Sequence, residues 1–208
     1  MTIHLHKGDL PAGLDLGPAV AVDCETMGLN LSRDRLCLIQ LSAGDGDAHL
    51  VQFPRDGAFP FNAPRLAALL ADARVLKLFH FGRFDLAAIE RYLGVMCAPV
   101  YCTKIASKLC RTFTDRHSLK DLVKEFVGVD LSKLQQTSDW GAADLTQDQL
   151  TYAASDVLHL HALKARLDEM LKREGRMDVA EACFRFLPHR ARLDLLGWDD
   201  EHDIFSHH

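Results

Sequence analysis

The first quarter of the chain restricts its fold most, because three short apolar strands joined by turns give way there to helical periodicity. Pro18-Ala19-Val20-Ala21-Val22-Asp23-Cys24-Glu25 reads as a buried strand. A turn region around Gly28 and Asn30 leads to Leu36-Cys37-Leu38-Ile39-Gln40-Leu41, and Gly44-Asp45-Gly46-Asp47 returns the chain into His49-Leu50-Val51-Gln52-Phe53. Such turns predict an antiparallel meander over residues 18–53. Beyond it Pro64 opens a helix to Asp72, Val75-Leu76-Lys77-Leu78-Phe79 reads as a strand, and Leu86, Ile89 and Leu93 line one face of a helix that Gly94 ends. From Tyr101 onward helices dominate, expected near 102–111, 118–127, 146–171 and 176–187. A meander followed by alternating helices and strands is α/β in class, with a mixed sheet of five or six strands flanked by helices.

At 208 residues, 48% hydrophobic and 25% charged, the chain is expected to form one domain, with its chemistry inside 18–165 and helices plus an acidic tail over 176–208. A net charge of -5 excludes a strongly basic surface that grips long nucleic acid by counterion release. No apolar run approaches the ~18 residues of a membrane span. The six cysteines form no C-x-x-C pair and the N-terminus shows no secretory apolar stretch, so reduced thiols and a cytoplasmic location are expected. Basic residues concentrate in 101–124, at Lys104, Lys108, Arg111, Arg116, Lys120 and Lys124; by itself such a run reads first as a solvated helix face.

Asp23 and Glu25 stand two apart on a strand, so both carboxylates leave one face of the sheet while Val22 and Cys24 point to the other. Alone, the pair reads as a strand end reaching solvent. Asp85 follows a later strand at the start of a helix, where an acid also suits the helix dipole. Tyr152 and Asp156 are one helical turn apart. Converging at one sheet edge, four acids suit two hard divalent ions, Mg or Mn, about 3.5–4 Å apart, which activate water and stabilise a leaving oxygen in phosphodiester hydrolysis. A tyrosine there orients the water, or takes its proton if nearby cations lower its pKa. Calcium is expected to bind and inhibit.

The order of these residues resembles a known family. Asp23-Cys24-Glu25-Thr26, the segment His80 to Asp85, and Tyr152-Ala153-Ala154-Ser155-Asp156 look like the three motifs of the DEDD 3'-5' exonucleases, in the branch with a tyrosine four residues before the last acid. Ser118-Leu119-Lys120-Asp121-Leu122 through Gly128-Val129-Asp130-Leu131-Ser132-Lys133, then Gln136-Thr137-Ser138-Asp139-Trp140, is similar to the ribonuclease D group. The opening Asp-Cys-Glu-Thr-Met-Gly-Leu on a domain of this length looks most like the nanoRNase C group. The resemblance implies an RNase H-like fold, a ring-shaped homo-oligomer (an octamer), and a 3'-5' exoribonuclease that prefers very short RNA, dinucleotides above all. It also implies catalysis by Asp23, Glu25, Asp85, Tyr152 and Asp156, with the four acids as metal ligands.

An acidic protein must hold RNA by a few local contacts. The expected ones are Thr26, Met27 and Gly28 beside the first motif, Leu29 as a wedge between bases, and Met27 and Phe84 as stacking partners. Phosphate contacts are expected from His80, Lys104, Lys108, Arg111 and Arg116, and Gln136 and Ser138 are within reach of substrate. His159 and His161, two apart on a helix, read as surface or interface residues rather than metal ligands, and Trp140 as a packing anchor. Trp198 and Phe205 suggest a subunit contact in the tail. Two other readings stay open: an exonuclease on longer RNA or DNA, and an inactive nucleic-acid-binding scaffold.

Overall fold

The computed structural model describes residues 1–205 except 58, 133 and 200. Lys133, within the stretch similar to ribonuclease D, and the last three residues of the tail lie outside the described residues. Among the described residues six strands form one sheet: β1 (Ile3–Lys7), β2 (Ala19–Thr26), β3 (Leu36–Ser42), β4 (Ala48–Gln52), β5 (Leu76–Phe79) and β6 (Val100–Cys102), in the order β1-β4-β3-β2-β5-β6. The expected meander is present, since β2 and β3, and β3 and β4, pair antiparallel, whereas β1, β5 and β6 join in parallel.

Among the described residues seven helices accompany the sheet: α1 (Pro64–Ala71), α2 (Arg83–Leu93), α3 (Thr103–Cys110), α4 (Leu119–Val127), α5 (Gln147–Leu158), α6 (Leu160–Arg173) and α7 (Met177–Leu195). The strand β3 is buried at every position because both faces of the sheet are covered. On one face α5 crosses β2, β3 and β4; α7 packs on α2 and β6. No helix among the described residues is long and apolar enough to cross a membrane.

Four elements differ from the sequence reading. The sequence reading does not include the strands β1 and β6; the helix expected near 102–111 follows β6 as α3. The helix expected over 146–171 is two, broken at His159. The last helix runs through Pro188 to Leu195, because its packing on α2 and β6 outweighs the lost backbone hydrogen bond. His161 is also not a surface residue: its ring lies over Gly44 and its Nε2 is 3.0 Å from the carbonyl of Ala19.

The topology leaves a crevice. Pairing of β2 with β5 covers only Ala19–Ala21, so one side of the later part of β2 is free where the parallel strands end. Such C-terminal strand edges are where open α/β sheets bind ligands.

Candidate active site

Along β2 the buried Val22 and Cys24 alternate with Asp23 and Glu25, which emerge half-buried at the crevice. A register shift between Glu25 and Thr26 then ends regular pairing. In the following loop the Asp34 carboxylate accepts from the backbone N–H of Asn30 at 3.0 Å. It also fills the space beside Gly28, where a Cβ would lie 2.4 Å from Asp34 Oδ2. The loop is thereby drawn inward at Gly28, and its neighbours Met27 and Leu29 project, 49% and 84% exposed. Thr26 is spent on this turn, its hydroxyl donating to the Gly28 carbonyl at 2.5 Å.

The other acids arrive on helices. Asp85 sits buried in the first turn of α2, with Cys24 against its carboxylate. Helix α5 starts at a capping box in which the Thr146 hydroxyl accepts from the Gln149 N–H and the Gln149 side chain accepts from the Thr146 N–H. Its packing against β2 turns Tyr152 and Asp156, one turn apart, toward the strand acids. Asp23, Glu25 and Asp156 each present an oxygen within 4.8 Å of the others. Asp85 stands beside Asp23 without joining that trio.

Burial and mutual repulsion make these carboxylates hard to ionise. Burial pushes Asp23 up to about 7. Burial, then Asp23, Asp156 and Asp85, push Glu25 up to about 10. Asp85 and Asp156 are raised well above the usual carboxylate range by burial and then by Asp23. Every charged neighbour acting on Glu25 is another acid, so ionising the group calls for a cation. Converging carboxylate oxygens suit a hard divalent ion, and the residues present therefore fit magnesium or manganese. Tyr152 is raised too, by burial and then by Asp156, Glu25 and Asp23, so without a cation it stays a protonated phenol whose hydroxyl donates to Asp156.

The acids line a cleft of about 470 Å³ together with Leu29, His80, Phe84, Lys104, Gln136 and Tyr152, all singled out from the sequence. His80, expected to contact phosphate, lines the cleft as a neutral ring: burial, then Lys104, lowers it to about 3, and its Nδ1 is 2.9 Å from Thr103 Oγ1. Lys108 is exposed, neighbours Lys104, and does not line the cleft. Arg111 is no phosphate contact, because it is 1% exposed and bonded to Glu125, the Arg116 carbonyl and the Ser107 hydroxyl. Arg116 pairs with Asp121, and the Ser138 hydroxyl bonds Gln135; neither lines the cleft. Trp140 is buried against Tyr152, as expected of an anchor. Sequence reasoning missed Phe81, Ser118, Ser132 and Lys120 in the lining, although Lys120 belonged to the basic run.

Comparison with known proteins agrees with this geometry. A sequence model of the family described as 3'-5' exonuclease matches residues 9–172. Solved structures of Brucella melitensis NrnC, with bound Mg2+ and bound to pGG, are 53% and 54% identical, with TM-scores of 0.93 and 0.94 over all of both chains. Escherichia coli RNase D, described as an exoribonuclease involved in structured RNA processing, is 28% identical with a TM-score of 0.73, over 84% of this chain and 45% of that one. Ribonuclease D of Gluconacetobacter diazotrophicus is 34% identical over 161 residues, and this chain spans about 40% of its length. With the family match covering most of the chain and all three motifs in place, the chain belongs to the 3'-5' exonuclease family, in its ribonuclease D-like part.

Proposed function

We propose that the protein is a metal-dependent 3'-5' exoribonuclease that cleaves short RNA, dinucleotides preferentially, to 5'-mononucleotides. The observation that carries this reading is the meeting of Asp23, Glu25 and Asp156, with acids as the charged groups acting on Glu25, in a cleft of small-ligand size. Its full-length likeness to a nuclease solved with Mg2+ and with pGG supports both the metal and the short substrate.

In this mechanism Asp23, Glu25, Asp85 and Asp156 would hold two divalent ions, which would supply polarisation of the scissile phosphate and a more acidic water. Tyr152, whose hydroxyl proton goes to Asp156, would accept a hydrogen bond from the attacking water with its phenol oxygen and so orient that water toward phosphorus. His80 acts as a neutral hydrogen-bonding group, and Lys104, with Lys108 behind it, supplies positive charge to the substrate phosphate. Leu29 separates the two bases, Met27 and Phe84 offer stacking surfaces, and Gln136 reaches the substrate from the opposite wall. Assembly into an octameric ring and a cytoplasmic location complete the proposal; the exposed Trp198 and Phe205 are the surfaces offered to a neighbouring subunit.

The relatives named ribonuclease D favour a second reading, trimming of longer RNA. A time course on 5'-labelled RNA of two and of seven nucleotides, with Mg or Mn and with a chelator control, separates the two. Faster loss of the dinucleotide supports the first reading; stepwise shortening of the seven-mer while the dinucleotide persists refutes it.

A further inference from the structure

Phe81 is the only non-glycine residue among those described with a positive φ, 63°. That conformation brings Cβ against the backbone, so a bulky aromatic adopts it only where the surroundings impose it. Both sides of Phe81 do so. Phe79 is fully buried at the end of β5, and His80 is tied to Thr103, whose hydroxyl lies 3.2 Å from the Phe79 carbonyl. On the other side Gly82 lies so close to Phe79 that a Cβ there would stand 2.5 Å from the Phe79 Cβ. With its neighbours fixed inward, Phe81 is turned outward and is 52% exposed.

The ring faces two spaces. It lines the acid cleft and also a second hollow of about 820 Å³ bounded by Asn30, Arg83, Glu90 and Arg91, and only Leu29, Phe81 and Phe84 belong to both. These three apolar side chains form the divide between them. Lys104 Nζ lies 3.9 Å from the Phe81 ring centroid, a cation–π contact that steadies the ring while leaving it half exposed.

Resting on the short-RNA reading above, we propose that Phe81 is the substrate-contact residue that sets length preference. Its ring stacks on the base at the open end of a bound dinucleotide, with Lys104 beside that nucleotide's phosphate. A longer strand must leave the cleft past Phe81 toward the second hollow and forfeits this contact. The strained backbone is what keeps the ring on the divide rather than folded against α2.

The test is steady-state kinetics of Phe81→Gly and Phe81→Trp on two- and seven-nucleotide RNA, with melting curves. Phe81→Gly frees the backbone, so its melting temperature is expected to equal or exceed that of the wild type. Its KM for the dinucleotide should rise about 10- to 100-fold, as for the loss of one base–aromatic stack, with kcat changing far less. The preference for two over seven nucleotides should fall by the same factor, and Phe81→Trp should restore both. An active wild type whose Phe81→Gly variant keeps its KM and its preference overturns this inference alone, as does a Phe81→Gly variant that melts earlier and loses kcat instead. A wild type that turns over neither RNA overturns the functional reading, and this inference with it.

Discussion

Glu25 offers the most direct test of the carboxylate cluster, because its ionisation is opposed by burial and by three acids. Its folded value of about 10 lies above the unfolded value of about 4.5, so the metal-free folded protein keeps a proton that the unfolded chain has already lost. Stability linked to this group is therefore full below about pH 4.5 and declines as pH rises toward 10. Between pH 7 and 8.5 the histidines and ordinary carboxylates no longer titrate, and Glu25 alone contributes a slope of about 1.4 kcal/mol per pH unit. Over that interval the loss is on the order of 2 kcal/mol, or roughly 4–8 °C in melting temperature for a chain of this size. Melting curves with a chelator at the two pH values should show a fall in the wild type that is smaller by about this amount in Glu25→Gln, which removes one of the titrating groups and one source of repulsion while Asp85 and Asp156 still contribute theirs. Magnesium or manganese should restore the wild type at pH 8.5, since a cation stabilises the ionised cluster. Equal pH slopes for wild type and Glu25→Gln would refute the argument, because the carboxylates would then be ionised without need of a cation.

Asp156→Ala should abolish RNA turnover with either metal while the protein still folds; an active variant, measured on the dinucleotide, removes Asp156 from the metal site. Tyr152→Phe should slow hydrolysis by about 100-fold or more with manganese affinity by calorimetry nearly unchanged, and an unaltered rate takes the phenol out of the mechanism. Calcium added to a magnesium reaction should inhibit in competition with magnesium, since its looser coordination suits the carboxylates but not the reaction; unaffected turnover at saturating calcium contradicts this. For the tail, a chain ending at Gly197 keeps the Arg83–Asp194 ion pair, whose N–O distance is 2.6 Å, and should show a lower particle mass by light scattering if Trp198 and Phe205 build the ring.

What the sequence reveals here follows the range over which each signal acts. The meander was legible because its strands and turns are local patterns, and β1 was not, because it pairs in parallel with β4 some 45 residues away and alternates apolar residues with histidines. The break at His159 carries neither glycine nor proline, and Pro188 marks no break at all, so tertiary packing decided both. The acids were legible for a different reason: Asp23, Glu25 and Asp156 repel one another where they meet, and a stable fold has little reason to assemble such a group except to hold a cation. Substrate contacts carry no such internal contradiction. Arg111 and Lys104 look alike in a basic run, and only the fold turns one into a buried partner of Glu125 and the other toward the cleft. Nothing in the sequence separates Phe81 from its neighbours Phe79 and Phe84; the close approach of Gly82 to Phe79 turns its ring outward. Residues whose roles depend on chemical conflict are thus readable from type and order, whereas those whose roles depend on direction emerge only when the backbone is in place.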